Sequence, residues 1–592
     1  MQETIDVARR RIDQDIEKME EAIRALKSCC NSLAAISRLP PEILSRIFAA
    51  TIEPGLLTMD WVEVTHVSCH WRTVAIGCPR LWTTLAFARP RWVEEMLKRS
   101  KMAPLVIDAQ QFEYMGSKLE AVQLAMNHIS RVRELSIIAA SASLGKLLSS
   151  VPRAAPMLQV LVLSISLNSY TESFHDNYSI PPELFSDDSS QLRHLELKHC
   201  NLDWTSHLLK GLTHLKVHDT APGTRPSTPL FLDVLEQLPT LAVLDLHDAL
   251  PHVADCSSAV LYQCNVKLRS LTHLHLSGSY FDCPNALRHI SVSSSATLKL
   301  SCRRIVSVPD ADVSSILTLV SGLWEPTAIS SAAKLQRCPI RSLKILGAGS
   351  TGLTLQTWPT VLSFHPLSGD SYPPPSIDLY FQGFSTATKN GNKLIEEICA
   401  TLPLEQLSSL DVFSASKMTE QTLLRSFGKL AHLRFICAPG LAVHRLLSAM
   451  IAEPSTATST DGSANLSMQK RSHSRREMPP AVYFPSLVHL TIADMNFDSG
   501  YDGEYAMLQE LKDCLMERYE RKAKVRELTL SRCSRLTMEL VDELREIVVN
   551  VNWDGWVTGF SDVSEDDYGD DINDSDDMYD GFDSDEDYHV SF

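Results

Sequence analysis

One six-residue phrase, apolar-x-x-apolar-x-apolar, recurs through most of this chain and constrains its fold more than any other feature. It reads VRELSI from Val132, LQVLVL from Leu158, LRHLEL from Leu192, LTHLKV from Leu212, LAVLDL from Leu241 and LTHLHL from Leu271. It returns as IRSLKI from Ile340, LSSLDV from Leu407, LAHLRF from Leu430, LVHLTI from Leu487 and VRELTL from Val525. Two weaker copies fit the longer gaps: SATLKL from Ser295, and PSIDLY from Pro375, one residue out of phase. The last three positions alternate with the period of a strand, so the apolar pair points to one face and its neighbours to the other. One such unit cannot bury its apolar face, but a stack of them can. The first intervals are 26, 34, 20, 29 and 30 residues, enough for a strand and a return segment in each unit.

That spacing is near the ~20–29 residues of leucine-rich repeats, with insertions. LRHLELKHCNL (Leu192 to Leu202) and LTLSRCSRL (Leu528 to Leu536) resemble the cysteine-containing members of that class. Most other copies carry Ser, Thr, Ala or Met where the turn residue belongs, so the array is degenerate. The expected fold class is α/β, with an N-terminal helical bundle followed by an irregular leucine-rich-repeat solenoid, a horseshoe. Side chains between the apolar strand positions would line its concave face and bind a target. They are His194, Glu196, Lys198, His214, Lys216, Asp245, His247, His273 and His275. Histidine stands just before the central apolar residue at His194, His214, His273, His432 and His489. It is read there as a surface residue with two hydrogen-bonding ends rather than as a metal ladder.

The N-terminal segment has a different period. Ile5, Ile12, Met19, Leu26 and Leu33 recur every seven residues, and Ile16, Ile23 and Cys30 fall four after three of them. This predicts a helix with a coiled-coil seam, interrupted by Arg9, that packs on its own protein or self-associates through residues 3–35. Then comes RLPPEILSRIFAA (Arg38 to Ala50), with Ser37 as a candidate cap and Pro40 and Pro41 suited to a helix start. Ile43, Leu44, Ile47 and Phe48 share a helical face, and Val64, Val67, Trp71, Val74 and Ala75 keep helical spacing in the next apolar segment. A bundle this small needs neighbours or a partner.

LPPEIL (Leu39 to Leu44) with Ile47-Phe48, Val67-Ser68-Cys69, Trp71-Arg72, Ala75 and Pro79-Arg80-Leu81-Trp82 resembles the F-box, by which adaptors dock on Skp1 in cullin-type ubiquitin ligases. WVEEMLKRSKMAPLVID (Trp92 to Asp108) is similar to the stretch that follows it in a large basidiomycete group of F-box proteins. The resemblance implies Skp1 contacts through Leu39, Pro40, Ile43, Leu44, Ile47, Phe48, Val67 and Trp71. It also implies a cullin complex and a target protein held by the repeats. The expected organisation is a helix over 1–36, the F-box-like unit over 37–88 and the solenoid over 89–551. An inserted loop occupies 453–480 and an acidic tail 552–592. The other reading is a repeat scaffold for protein–protein interaction that acts without ubiquitin.

Charge narrows the partners. The net charge is −17, but residues 562–592 hold fourteen Asp and Glu and no Lys or Arg, which leaves the body near −3. A neutral body lacks the basic face that nucleic acid requires. No eighteen-residue apolar run suggests a membrane span, and the charged N-terminus lacks a secretory h-region. The fourteen cysteines include no C-x-x-C, so reduced thiols in a cytoplasmic or nuclear setting are expected. His66, Cys69, His70 and Cys78 match no zinc spacing. The loop's KRSHSRR (Lys470 to Arg476) reads as a solvated basic patch, and Ser575 and Ser584 lie among carboxylates. GAGSTG (Gly347 to Gly352) matches G-x-G-x-x-G, but Pro359 interrupts the helix that a dinucleotide site would need. No enzyme, cofactor or metal is expected.

Overall fold

The computed structural model describes residues 2–51, 60–87, 89–110, 116–166, 177–253, 265–293, 295–303, 313–322, 339–348, 352–364, 372–384, 389–412, 418–440, 442–453, 482–497 and 506–556. The body of the inserted loop, the tail beyond 556 and the tip of GAGSTG lie outside the described residues.

Helix α1 (Gln2–Leu33) runs unbroken and ends in a 3-10 turn (Ala35–Arg38). Its seam residues Ile5, Ile12, Ile16, Met19, Ile23, Leu26 and Leu33 are exposed, so that seam does not pack on its own protein. Helix α2 (Pro41–Ala50) starts at tandem prolines, with Pro40 as its N-cap and no side chain bonding its first N–H groups. Ser37, the expected cap, sits in the preceding turn. The short α3 (Val64–Val67) leads into α4 (Cys69–Gly77), where Ser68 Oγ accepts the Trp71 N–H at 3.1 Å. The bundle core is Leu44, Phe48, Val74, Ala75, Leu81 and Trp82, with the Trp82 indole N–H on the Ala75 carbonyl at 3.0 Å.

This bundle is not free-standing. Helix α5 (Pro90–Arg99) lays the Arg99 guanidinium 4.4 Å from the centre of the Trp82 ring. Thr83 and Leu85 exchange backbone hydrogen bonds with Val106, at 2.9 and 3.2 Å, in the first strand of the sheet. The helical unit therefore covers the edge that an open parallel sheet would leave exposed. Its core is continuous with that of the rest of the chain, from Leu44 to Val548.

Among the described residues that sheet has sixteen strands. In chain order they are β1 (Leu105–Gln110), β2 (Val132–Ala139), β3 (Val160–Ile165), β4 (His194–Lys198), β5 (His214–His218), β6 (Val243–His247), β7 (His273–Ser279) and β8 (Thr297–Arg303). Next come β9 (Ser342–Ala348), β10 (Gly352–Trp358), β11 (Ile377–Gln382), β12 (Ser409–Asp411), β13 (Phe435–Pro439), β14 (His489–Ala493), β15 (Glu527–Ser531) and β16 (Asn550–Trp553). Spatial order follows chain order except at β8-β11-β10-β9-β12, where β10 runs antiparallel to both neighbours and all other pairs are parallel. Parallel neighbours need crossovers, supplied by α-helices in many of the units and between β4 and β5 by a 3-10 turn (His207–Leu209). The helices are α6 (Gly116–Met126), α7 (Ser141–Ser149), α8 (Thr228–Glu236), α9 (Asp282–Leu287), α10 (Val313–Gly322), α11 (Lys389–Thr401), α12 (Glu420–Ser426), α13 (Ala442–Ile451), α14 (Ala506–Glu520) and α15 (Met538–Ile547). The result is a mixed α/β fold of N-terminal helices and one long sheet.

Both weaker copies of the phrase form strands, β8 and β11. The copy at Leu430 is out of phase: Ile436, not Leu433, lies opposite Leu410 and Leu490. The true phrase there is Leu433-x-x-Ile436-x-Ala438, and His432 lies exposed before the strand. GAGSTG joins the antiparallel pair β9 and β10, so Gly352 begins a strand and no helix follows it. A Cβ on Gly352 would stand 2.5 Å from the Tyr380 ring, which explains glycine there without any phosphate.

Strand burial alternates. In β3 to β6 the apolar positions are fully buried and the intervening ones half-exposed, so one sheet face stays open. In β13 to β15 both faces are buried. Part of the cover is the segment after β10: Ser342 Oγ donates to the Thr360 carbonyl and accepts the Leu362 N–H, both at 2.8 Å. Ser409 Oγ donates to the Leu362 carbonyl at 2.7 Å. Trp358, Phe364 and Cys437 close over this plug with Tyr372. Beneath it the buried Lys344–Asp411 pair meets at 3.0 Å.

Candidate functional site

Two surfaces hold the residues picked out in the sequence. On α2, the i, i+3, i+7 spacing aligns Pro40, Ile43 and Ile47. Pro40 is exposed, and Ile43 and Ile47 are 40% and 37% exposed. Val67, at the end of α3, is 49% exposed, and its carbonyl accepts Asn31 Nδ2 from α1 at 3.0 Å. Leu39 is half-buried against the core. Trp71 is half-buried with its ring 5.0 Å from that of Phe48. Leu44 and Phe48 require a correction. At 0% and 1% exposure they form the interior of the bundle and cannot touch a partner. Both the 43/47 and 44/48 pairs are apolar with i, i+4 spacing, and the packing of α4 and the Pro79–Trp82 turn decides which is inside.

The second surface is the open face of β4 to β7, which gathers all nine expected residues. Parallel register sets them in rows. His194, His214, Val243 and His273 form the first. Glu196, Lys216, Asp245 and His275 form the second, continued by Lys299 and Asp378. Lys198, His218 and His247 form the third. The His194 and His214 rings stack at 5.1 Å, and Lys216 Nζ meets Glu196 Oε2 at 3.0 Å. Asp245 Oδ1 lies 2.8 Å from His275 Nδ1 and 3.1 Å from His218 Nε2.

These contacts set the charge states. The His194 imidazole, its Nε2 3.5 Å from Oε2, is the main force holding Glu196 down to about 2; burial opposes it, and Lys216 helps. Burial pushes the Asp245 carboxyl up, but His218 and His275 together outweigh it and keep it well below the usual range. Burial lowers His214, aided by the neighbouring His194. The face thus presents ionised carboxylates, ammonium groups and imidazoles in alternation, a surface suited to a polar or charged peptide segment. Against the His432 expectation, only four of the five pre-central histidines lie on strands, and His489 is in the covered half, near Thr529 Oγ1 at 2.9 Å.

Sequence reading missed one row. Seven residues after the first position of a copy, the chain turns into the left-handed region at His199, Asp219, Asp248, Asp494 and Arg532, with φ of 54, 57, 50, 50 and 52°. A polar residue at this fixed offset was the available signal. His218, in the third row, was missed with them, as were Arg225 and Arg303 beside Asp248.

Comparison with known proteins bears on the first surface. Residues 36–88 match the F-box-like family. A chain of the yeast Rad7 and Elc1 complex aligns over 84% of this chain and 96% of its own, at 10% identity and a TM-score of 0.20, too loose a superposition to carry an argument. No curated protein matches.

Proposed function

We propose that this protein is the target-binding subunit of an SCF-type (Skp1–cullin–F-box) ubiquitin ligase. The observation that carries the reading is the F-box-like unit at 36–88 with one face of α2 sealed in the bundle and the other, Pro40, Ile43 and Ile47, left apolar and open. Skp1 would cover that open face. The parallel stack would be a degenerate leucine-rich-repeat array, similar to the basidiomycete F-box group, acting in the cytoplasm or nucleus. A target would lie along β4 to β7, since the plug of residues 359–364 closes the inner face over β9, β12 and β13. Function is then tethering: holding target and ubiquitin-loading enzyme together raises their effective concentration.

The seam of α1 supports a second element, pairing with another copy of this chain. Its seven-residue spacing is the coiled-coil period, and the helix carries seven acidic and six basic residues, so like helices repel little. An isolated helix is marginal in water without such cover. A scaffold working without ubiquitin would share this dimer and lack the Skp1 complex. Co-expression of the full chain with Skp1 and cullin separates the two. The ligase reading expects a stoichiometric complex by size exclusion, and a soluble, folded chain that elutes alone would refute it.

A further inference from the structure

At the ends of β4, β5 and β6 the left-handed residues stack. The His199, Asp219 and Asp248 N–H groups bond to the His218, His247 and Ser277 carbonyls of the next strand, at 3.0, 2.7 and 2.9 Å. This places Asp219 between two imidazoles, with His247 Nδ1 2.9 Å from Oδ1 and His199 Nε2 3.7 Å from Oδ2. One ligand atom each from Asp219, His247 and Asp248 lies within 4.8 Å of the others. The same offset later in the chain is instructive. There the carboxylate Asp494 is held by the Arg532 guanidinium through two contacts of 2.7 Å. Asp219 instead has a histidine on either side, with the Arg225 and Arg303 charges farther off.

We propose that Asp219, His247 and Asp248 bind one divalent transition-metal ion of the zinc class, with His199 beside Asp219 as an outer support. Zinc takes imidazole and carboxylate ligands at ~2.0–2.2 Å in a tetrahedron, which puts ligand atoms roughly 3.4 Å apart. The 2.9 Å between His247 Nδ1 and Asp219 Oδ1 is close to that spacing, and the ligand atoms of Asp219, His247 and Asp248 all lie within 4.8 Å of one another. An imidazole ligand favours zinc, nickel or copper over calcium or magnesium, which prefer oxygen. Arg303 holds the other Asp248 oxygen, and Arg225 Nη2 stands 3.8 Å from Oδ1, the outer support that orients a ligating carboxylate. The ion would tie two successive strand ends beside the target-binding face, a structural role independent of the ligase reading.

The test is zinc chloride titration of chelator-treated full-length protein against a chromophoric chelator, with His247→Ala, Asp219→Asn and the off-site His273→Ala. Expected is one zinc held by wild type and His273→Ala, and binding at least ~10-fold weaker in the other two. Zinc should also raise the melting temperature of wild type and not of those variants. Circular dichroism shows which variants fold, and either ligand variant alone suffices. A wild type that takes no zinc at tens of micromolar free metal, or a folded ligand variant that binds like wild type, overturns the proposal and leaves the four residues an ordinary polar cluster.

Discussion

The two faces of α2 allow a sharp separation of binding from folding. Ile43 and Ile47 retain 40% and 37% of their exposure, so covering them on docking returns about four-tenths of a buried side chain's ~1.5–3 kcal/mol, roughly 1 kcal/mol each. Aspartate there loses this and leaves a charge desolvated without a partner, which costs ~3–5 kcal/mol. Ile43→Asp with Ile47→Asp should therefore weaken Skp1 binding by at least ~4 kcal/mol, about a thousandfold. In the free protein both positions face water, so stability should change by only about 0.5 kcal/mol per site. Leu44→Ala and Phe48→Ala act in the opposite sense. Both side chains are fully enclosed, and their truncation should cost ~2–5 and ~3–5 kcal/mol of fold stability. The assays are calorimetric titration with purified Skp1 and denaturant melting of the full chain, since the bundle shares its core with the sheet. A double-aspartate protein that stays folded and binds Skp1 within tenfold of wild type would refute the assignment of this face.

Three further outcomes are expected. Glu196 faces His194 and Lys216, and its carboxyl is depressed to about 2 from 4.5, so its contribution is complete above pH 4.5 and fades as pH falls towards 2. With the side chain a third exposed, solvent screening trims this to about 1 kcal/mol; Glu196→Gln should flatten the loss of melting temperature between pH 5 and pH 3, and an unchanged slope would contradict the charge assignment. Among the described cysteines, all free, Cys29, Cys30 and Cys69 are exposed, whereas burial pushes Cys200, Cys399 and Cys514 up to about 12. Iodoacetamide on native protein should label the first three and spare the others, as read by peptide mass spectrometry, and early labelling of Cys200 would show the repeat core to be open. Light scattering should give twice the chain mass for wild type and the single mass for Ile16→Asp with Ile23→Asp; a monomeric wild type sinks the coiled-coil assignment.

What the sequence made legible was local. Strand alternation lies within six residues, and the heptad within thirty, so the strands carrying Leu195, Leu215 and Leu244 and the whole of α1 could be read without knowing what surrounds them. The Leu430 copy shows where this stops. LAHLRF satisfies the phrase by composition, but the Arg434 and Phe435 N–H groups both bond to the Ser408 carbonyl, at 2.9 and 3.0 Å, and start the strand late. The phase was set by a neighbour 26 residues away, and His432 left the ladder with it.

The same limit governs the sites. Ile43 and Leu44 are adjacent and equally apolar, and what distinguishes them is that Trp82 and Ala75 lie on one side of α2 and not on the other. The plug over Ser342 and Ser409 comes from a segment with no repeat pattern, so nothing periodic announced that half of the inner face is closed. His199, Asp219, His247 and Asp248 span fifty residues with no ligand spacing of their own, because the interval that joins them is the repeat itself. In a stacked array a fixed offset within each copy becomes a column in space. Polar residues at one offset in consecutive copies are therefore a spatial motif, and the sequence must be aligned by its strands before that motif can be read.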